Sequence, residues 1–305
     1  MRAAVIGVGS NSVRMLVADI QGGRLREVLR DREGTRLFGG LDEKGNLSRE
    51  SMALTVKAVA AMGKKAAELD AQAIHLFATS AVRDAGNQGE FSELVRGEAG
   101  LELEILTGES EAALSFLGAA GGAHAGVIDI GGGSTEVVIG RGAAIDAGVS
   151  LQLGAVRLNR LYPITSSRDV PAVVEAAGQI LERNMDRLVG AGLPARWVGV
   201  GGTFTALAAL MKDVPWTEKT RLNGYALPRD AVLGWLERLS DMSLKERLAL
   251  KGLQPQRADI MAHGTAILAA CMDKLLIATI HVSEFGNLDG YLKRKYLLVA
   301  DRDRE

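Results

Sequence analysis

Apolar residues open the chain in short, almost unbroken runs. AAVIGV at 3–8 and VRMLVADI at 13–20 are too short for typical helices and too apolar for loops, so they predict strands at 2–8 and 13–20 joined by GVGSNS at 7–12. A third strand is expected at 24–31. The period then changes. Ser48 precedes a helical stretch reaching about residue 69, with Met52, Val56, Val59 and Met62 on one face. IHLFA at 74–78 reads as a strand, followed by a polar loop and a helix to about 99, a strand at 101–106 and a helix over 109–119.

The Gly/Ala-rich segment GAAGGAHAG at 118–126 marks a boundary. Beyond it the opening pattern returns: a strand at 125–130, the turn GGGST, a strand at 136–140 and another at 143–152. The unit of strand, glycine turn and strand thus occurs twice, roughly 120 residues apart. The repeat predicts two related α/β domains, 1–120 and 121–305, facing each other across a cleft. The second half continues with a helix over 169–190, a strand at 196–200, a helix from Thr203, a helix opened by Pro228, a long helix over 257–275, a strand at 278–283 and a last helix over 288–299. The all-charged tail Asp301–Glu305 is expected to fray.

The length of 305 residues fits two domains, and 47% hydrophobic with 24% charged residues describes a globular chain. A formal net charge of −1 argues against a general nucleic-acid or anionic-membrane surface, so any polyanion must be held by a local site. The one cysteine, Cys271, excludes an internal disulfide and lies in an apolar helical run, as a small core residue does. No apolar run reaches the ~18 residues of a membrane span, and no cleavage-type leader is visible. A cytoplasmic protein is therefore expected.

Candidate chemistry sits at the glycine turns. Phosphate binding needs converging backbone N–H groups with no side chain in the way, and hydroxyls add donors. Gly9, Ser10, Asn11 and Ser12 in the first turn, and Gly131, Gly132, Gly133, Ser134 and Thr135 in the second, meet that need. Each is also compatible with an ordinary hairpin turn, but equivalent turns in two domains favour phosphate. VGVGGTFTALAAL at 198–210 adds a third turn, in which Gly201, Gly202 and Thr203 precede or open a helix whose N-terminus attracts anions. Close helix–strand packing would call for the same small residues.

Phosphoryl hydrolysis also needs carboxylates for a metal ion and for water. Asp129 is the one charge in the run Val127–Ile130, Glu136 follows the second turn, and Glu111 begins the helix in TGESEA. Glu111 could instead complement the helix dipole together with Glu109, and Glu136 could be a solvated strand position. Arg83, in ATSAVRDAGN, is either a phosphate clamp or a surface arginine. His75, His124, His263 and His281 show no metal-ligand spacing and are read as structural.

GSNSVRML at 9–16, TSAVRDAGN at 79–87, ILTGESEAALSFLGA at 105–119, VIDIGGGSTEVVIG at 127–140, SLQLGAVRL at 150–158, VGGTFTALA at 200–208, GLQPQRADIM at 252–261 and VSEFGNLDG at 282–290 together resemble the exopolyphosphatase/guanosine pentaphosphate phosphatase (Ppx/GppA) family over nearly the whole chain. The resemblance implies the actin-like, Hsp70-like, sugar-kinase-like fold in its short two-domain form. It implies Glu111 as the water-activating glutamate, Arg83 as a phosphate-binding arginine, and Asp129 and Glu136 as carboxylates linked to metal and water. Asn11 and Ser12 match the first phosphate loop, and Gly201 and Gly202 a glycine pair that borders a nucleotide in related folds. Mg²⁺ or another divalent cation and a homodimer are implied on the same ground.

Three positions depart from that pattern. Gly7 stands where the family carries an Asp before its first loop, Ser110 replaces the first of a Glu pair, and Asn223 replaces a common His. The expected activity is removal of the terminal phosphate of polyphosphate, of pppGpp, or of both. A non-catalytic sensor of guanosine polyphosphates, an ATP-dependent kinase on the same fold and an actin-like filament protein are the rivals.

Overall fold

The computed structural model describes residues 1–218 and 222–298. The charged tail lies outside them. The chain separates into two compact units, one formed by Met1–Gly118 with the terminal helix Asn287–Tyr296, the other by Ala119–Gly286. The break lies at the start of the Gly/Ala-rich segment 118–126. The terminal helix, however, packs on the first unit, whereas a single cut at 120 puts it in the second. Leu288, Tyr291 and Leu292 join Val5, Leu16, Phe77 and Leu114 in one apolar cluster. That packing removes the stripe from water at a gain of about 25 cal/mol per Å² of apolar surface.

In the first unit β1 (Arg2–Val8), β2 (Val13–Gln21), β3 (Arg24–Glu33), β4 (Ala73–Ala78) and β5 (Leu103–Ile105) form a sheet in the order β3-β2-β1-β4-β5. β1 pairs antiparallel with β2 and parallel with β4. Its residues Ala3–Val8 are buried, as expected of a central strand covered on both faces. Helix Arg49–Glu68 starts where Ser48 accepts the Ser51 N–H at 3.2 Å, and it buries Met52, Val56, Val59 and Met62 as its period predicts.

The second unit repeats this plan. β6 (His124–Ile130), β7 (Thr135–Arg141), β8 (Ala144–Leu151), β9 (Trp197–Val200), β10 (Ala226–Pro228) and β11 (Thr279–Ser283) are ordered β10-β11-β9-β6-β7-β8. β6 holds the place of β1, antiparallel to β7 and parallel to β9. The two sheets therefore share a hairpin pair followed by parallel strands, a duplicated α/β architecture. The helix expected over 169–190 is two helices, Val170–Glu182 and Met185–Gly190, separated at Arg183 and Asn184. The helix expected from 257 begins at Met261, after a 3₁₀ turn at Pro255–Arg257. Cys271 is fully buried, and burial pushes its thiol up to about 12.

Candidate functional site

The first turn closes β1 to β2. Val8 pairs with Val13, and the Gly9 N–H donates to the Ser12 carbonyl at 3.0 Å. Ser10, Asn11 and Ser12 are buried, which is unusual for hydrophilic turn residues. A neighbouring segment explains it: Arg36 N–H donates to the Asn11 carbonyl at 3.1 Å and Phe38 N–H to the Ser10 carbonyl at 2.9 Å. Ser10 Oγ lies 3.0 Å from Ser80 Oγ. Ser80 opens the short helix Ser80–Arg83 directly after β4, the parallel neighbour of β1, so the topology sets TSAVR beside the turn.

That short helix delivers Arg83 to Glu111. Arg83 Nη1 donates to Glu111 Oε2 at 2.9 Å and to the Leu106 carbonyl at 3.1 Å. Glu111 lies in the first turn of helix Gly108–Ala119, whose start is capped by Thr107 Oγ1 accepting the Ser110 N–H at 3.1 Å. Glu111 is 6% exposed. A dipole-complementing surface carboxylate needs no such burial, and a surface arginine needs no such partner. Both side chains are thus held by built contacts.

Gly7 faces the interior of the same unit. A Cβ placed on it would lie 3.0 Å from Leu288 Cδ2 and 3.0 Å from Phe77 Cζ. Where the family pattern expects a carboxylate, apolar side chains fill the space.

The second turn is built like the first. Ile130 pairs with Thr135, and the Gly131 N–H donates to the Ser134 carbonyl at 2.9 Å. The carbonyls of this turn are held from outside. Ala155 N–H donates to Gly131 O at 3.0 Å, Val156 N–H to Gly132 O at 2.9 Å, and Arg157 Nε to Gly133 O at 2.8 Å. A Cβ on Gly154 would overlap the Gly132–Gly133 peptide, so this close approach requires glycine. Thr135 Oγ1 donates to the Leu153 carbonyl.

Asp129 and Glu136 are register partners on β6 and β7 and so share one face of the sheet. Asp129 is 7% exposed and Glu136 1%, which corrects the reading of Glu136 as a solvated strand position. Ser150, the β8 partner of Glu136, donates to Glu136 Oε1 at 2.8 Å.

The third turn leaves β9 beside them, since Asp129 pairs with Val200. Gly201 has φ +102, a conformation open only to glycine, and a Cβ there would lie 3.2 Å from Asp129 Oδ1. Helix Gly202–Met211 starts at the next residue, with Thr203 buried. Within the second unit the structure therefore brings Asp129, Gly131–Thr135, Glu136 and Gly201–Thr203 together at the carboxyl ends of β6 and β9. Open α/β sheets bind their ligands at such strand ends.

The match between this chain and the sequence model of the Ppx/GppA phosphatase family runs over residues 16–298. The chain belongs to the Ppx/GppA phosphatase family. Exopolyphosphatase 2 of Mycobacterium tuberculosis is 32% identical over 310 residues, covering 95% of this chain and 97% of that protein. Guanosine-5'-triphosphate,3'-diphosphate pyrophosphatase of Vibrio campbellii is 30% identical over 287 residues, covering 90% of this chain and 55% of that protein. The crystal structure of an exopolyphosphatase-like protein superposes with a TM-score of 0.91 at 25% identity, over 98% of each chain.

In this Ppx/GppA chain several residues around the turns carried no assignment from sequence. Ser80, Ser150 and Arg157 reach their partners only through tertiary packing. Arg257 does so too: a Cβ on Gly202 would overlap its guanidinium, which puts that cation against the start of helix Gly202–Met211. GLQPQRADIM was legible as a motif, but nothing local says which of its residues meets the glycine pair. Two of the four histidines, His75 and His263, contact neighbouring groups. His75 Nε2 lies 2.8 Å from Tyr296 Oη, and His263 Nε2 lies 2.9 Å from the Tyr162 carbonyl. Among the described residues no group of three or more His, Cys, Asp or Glu could hold a metal ion, and no helix is long and apolar enough to cross a membrane.

Proposed function

We propose that this protein hydrolyses the terminal phosphate of a phosphate chain, inorganic polyphosphate or pppGpp or both, in the cytoplasm. The observation that carries the reading is the buried pair Asp129 and Glu136 beside the Gly131–Thr135 turn. As register partners they present two carboxylates on one face of the hairpin, at the edge of the turn. Carboxylate oxygens suit Mg²⁺, which rests on one or two carboxylates and completes its shell with water and substrate phosphate. Asp129 and Glu136 are the residues that would hold it. When bound, such an ion supplies neutralisation of phosphate charge. The names of the relatives, exopolyphosphatase and guanosine pentaphosphate pyrophosphatase, support the substrate class.

In the proposed reaction a water oxygen bonds to the terminal phosphorus as the bridging P–O bond opposite it breaks. Orthophosphate leaves, and the shortened chain departs with the bridging oxygen. Glu111 orients that water and takes its proton. Arg83 holds terminal phosphoryl oxygens, exchanging part of its contact with Glu111 for them. Donors of Ser10, Asn11 and Ser12, and of Gly132–Ser134, grip phosphate oxygens, while Gly9 and Gly131 close the turns and Thr135 anchors the second one. Gly201, Gly202 and Thr203 receive a further phosphate at the helix start.

Phosphate release with Mg²⁺ from long polyphosphate, pppGpp and ATP, with Glu111→Ala as control, tests this reading. Release from one chain, abolished in the variant, supports it and names the substrate. A second reading, a guanosine polyphosphate sensor without turnover, is favoured by the apolar filling at Gly7. It predicts tight binding of pppGpp with no release by folded protein.

A further inference from the structure

We infer that Lys293 and Gly290, on the terminal helix Asn287–Tyr296, are positioning residues that set the placement of Glu111. The inference rests on the proposed role of Glu111 as proton acceptor. Helix Gly108–Ala119 carries Glu111 in its first turn, and Leu114 and Gly118 follow on the same stripe, all buried. The terminal helix meets that stripe at two points.

The first is a backbone contact. A Cβ on Gly290 would overlap the Leu114 carbonyl oxygen and would lie 3.0 Å from Leu114 Cα. No flexible side chain could yield there, so the helices touch through main chain, and the distance between them is set by the missing side chain. The second is a charge. Lys293 Nζ donates to Leu117 O at 3.0 Å and to Gly118 O at 3.0 Å. These carbonyls belong to the final turn, where a helix has no donor of its own and the dipole is negative. An ammonium there caps the helix and holds it along its axis. Burial lowers the Lys293 pKa, and Asp289 opposes the shift.

The terminal helix is itself anchored. Arg30 pairs with Asp289 at 2.7 Å, Arg14 Nη2 donates to Asn287 Oδ1 at 3.1 Å, and Tyr291 Oη donates to Glu104 Oε2 at 2.8 Å. β2, β3 and β5 thus fix one helix, which fixes the other. Arg83 takes its place independently, from its own short helix and the Leu106 carbonyl. A slide of helix Gly108–Ala119 would therefore change the Glu111–Arg83 geometry directly. A misplacement of about 1 Å in a catalytic group can cost about 10²-fold in rate.

The test uses Lys293→Met, Lys293→Arg and Gly290→Ala alone, and Lys293→Met combined with Glu111→Gln, each checked by thermal melting. The expected result is a kcat about tenfold lower in Lys293→Met with KM unchanged. Lys293→Arg should restore most of it, and Lys293→Met should have no further effect in the Glu111→Gln background. Hydrogen exchange should accelerate within helix Gly108–Ala119 of Lys293→Met, a readout that needs no turnover. If Gly290→Ala or Lys293→Met does not fold, Lys293→Gln, which keeps a donor and loses the charge, carries the same comparison. Wild-type kcat and exchange in the Lys293 variants would overturn the inference, as would losses that multiply in the Glu111→Gln background. Full turnover by Glu111→Gln alone would instead overturn the reading of Glu111, and positioning with it, whatever helix exchange shows.

Discussion

Arg83 Nη1 stands 2.9 Å from Glu111 Oε2, with only 18% of one side chain and 8% of the other exposed. Removing one member of a buried pair strands the other. Arg83→Ala is therefore expected to destabilise the protein by about 3 kcal/mol. Glu111→Gln, which leaves no uncompensated carboxylate, should cost much less stability but lower kcat by about 10²–10⁴-fold. Urea unfolding beside phosphate release separates the effects. Arg83→Ala that unfolds at the wild-type urea midpoint would mean the pair is not held as described.

The proposed cation at Asp129 and Glu136 binds only the folded chain, so it should act on stability as well as on catalysis. Mg²⁺ is expected to raise the wild-type Tm. Asp129→Asn is expected to abolish the Mg²⁺ shift. Calorimetric scans with EDTA and with Mg²⁺ read both. A Tm indifferent to the metal in the wild type would remove the argument for a cation at these carboxylates.

Gly7 is not a vacancy awaiting its family aspartate. Phe77 and Leu288 already occupy the space, so Gly7→Asp overpacks the first unit and is expected to cost about 1–3 kcal/mol. It should bring no increase in Mg²⁺ affinity by titration calorimetry. A tighter metal site in a stable Gly7→Asp protein would show that the carboxylate alone was missing.

His75 and His263 both have pKa values lowered from 6.5, chiefly by burial. The folded protein keeps them neutral at pH values where the unfolded chain takes up protons. Stability should therefore be full above about pH 6.5, fall as pH drops below it, and stop falling on this account below the folded-state pKa values. Urea midpoints between pH 8 and pH 5 measure the slope, and His263→Gln should flatten it. An unchanged slope in that variant would assign the acid sensitivity to other groups.

The local grammar of this chain was readable before its structure. Two apolar runs separated by Gly9–Ser12, and again by Gly131–Ser134, specify hairpins because strand period and turn chemistry act over a few residues. Their recurrence specified the duplication, and the family motifs named Arg83, Glu111, Asp129 and Glu136 one by one. Tertiary structure alone decided which of these meet. The Arg83–Glu111 contact joins positions on separate elements, and the burial of Glu136 depends on β8 supplying Ser150. The filling at Gly7 depends on Phe77 from β4 and on Leu288 from the terminal helix. That helix has the same amphipathic period whichever unit it covers, so its return to the first unit left no local mark. Periodicity tells which face of an element is buried; only packing between elements distant in the chain tells what lies against it.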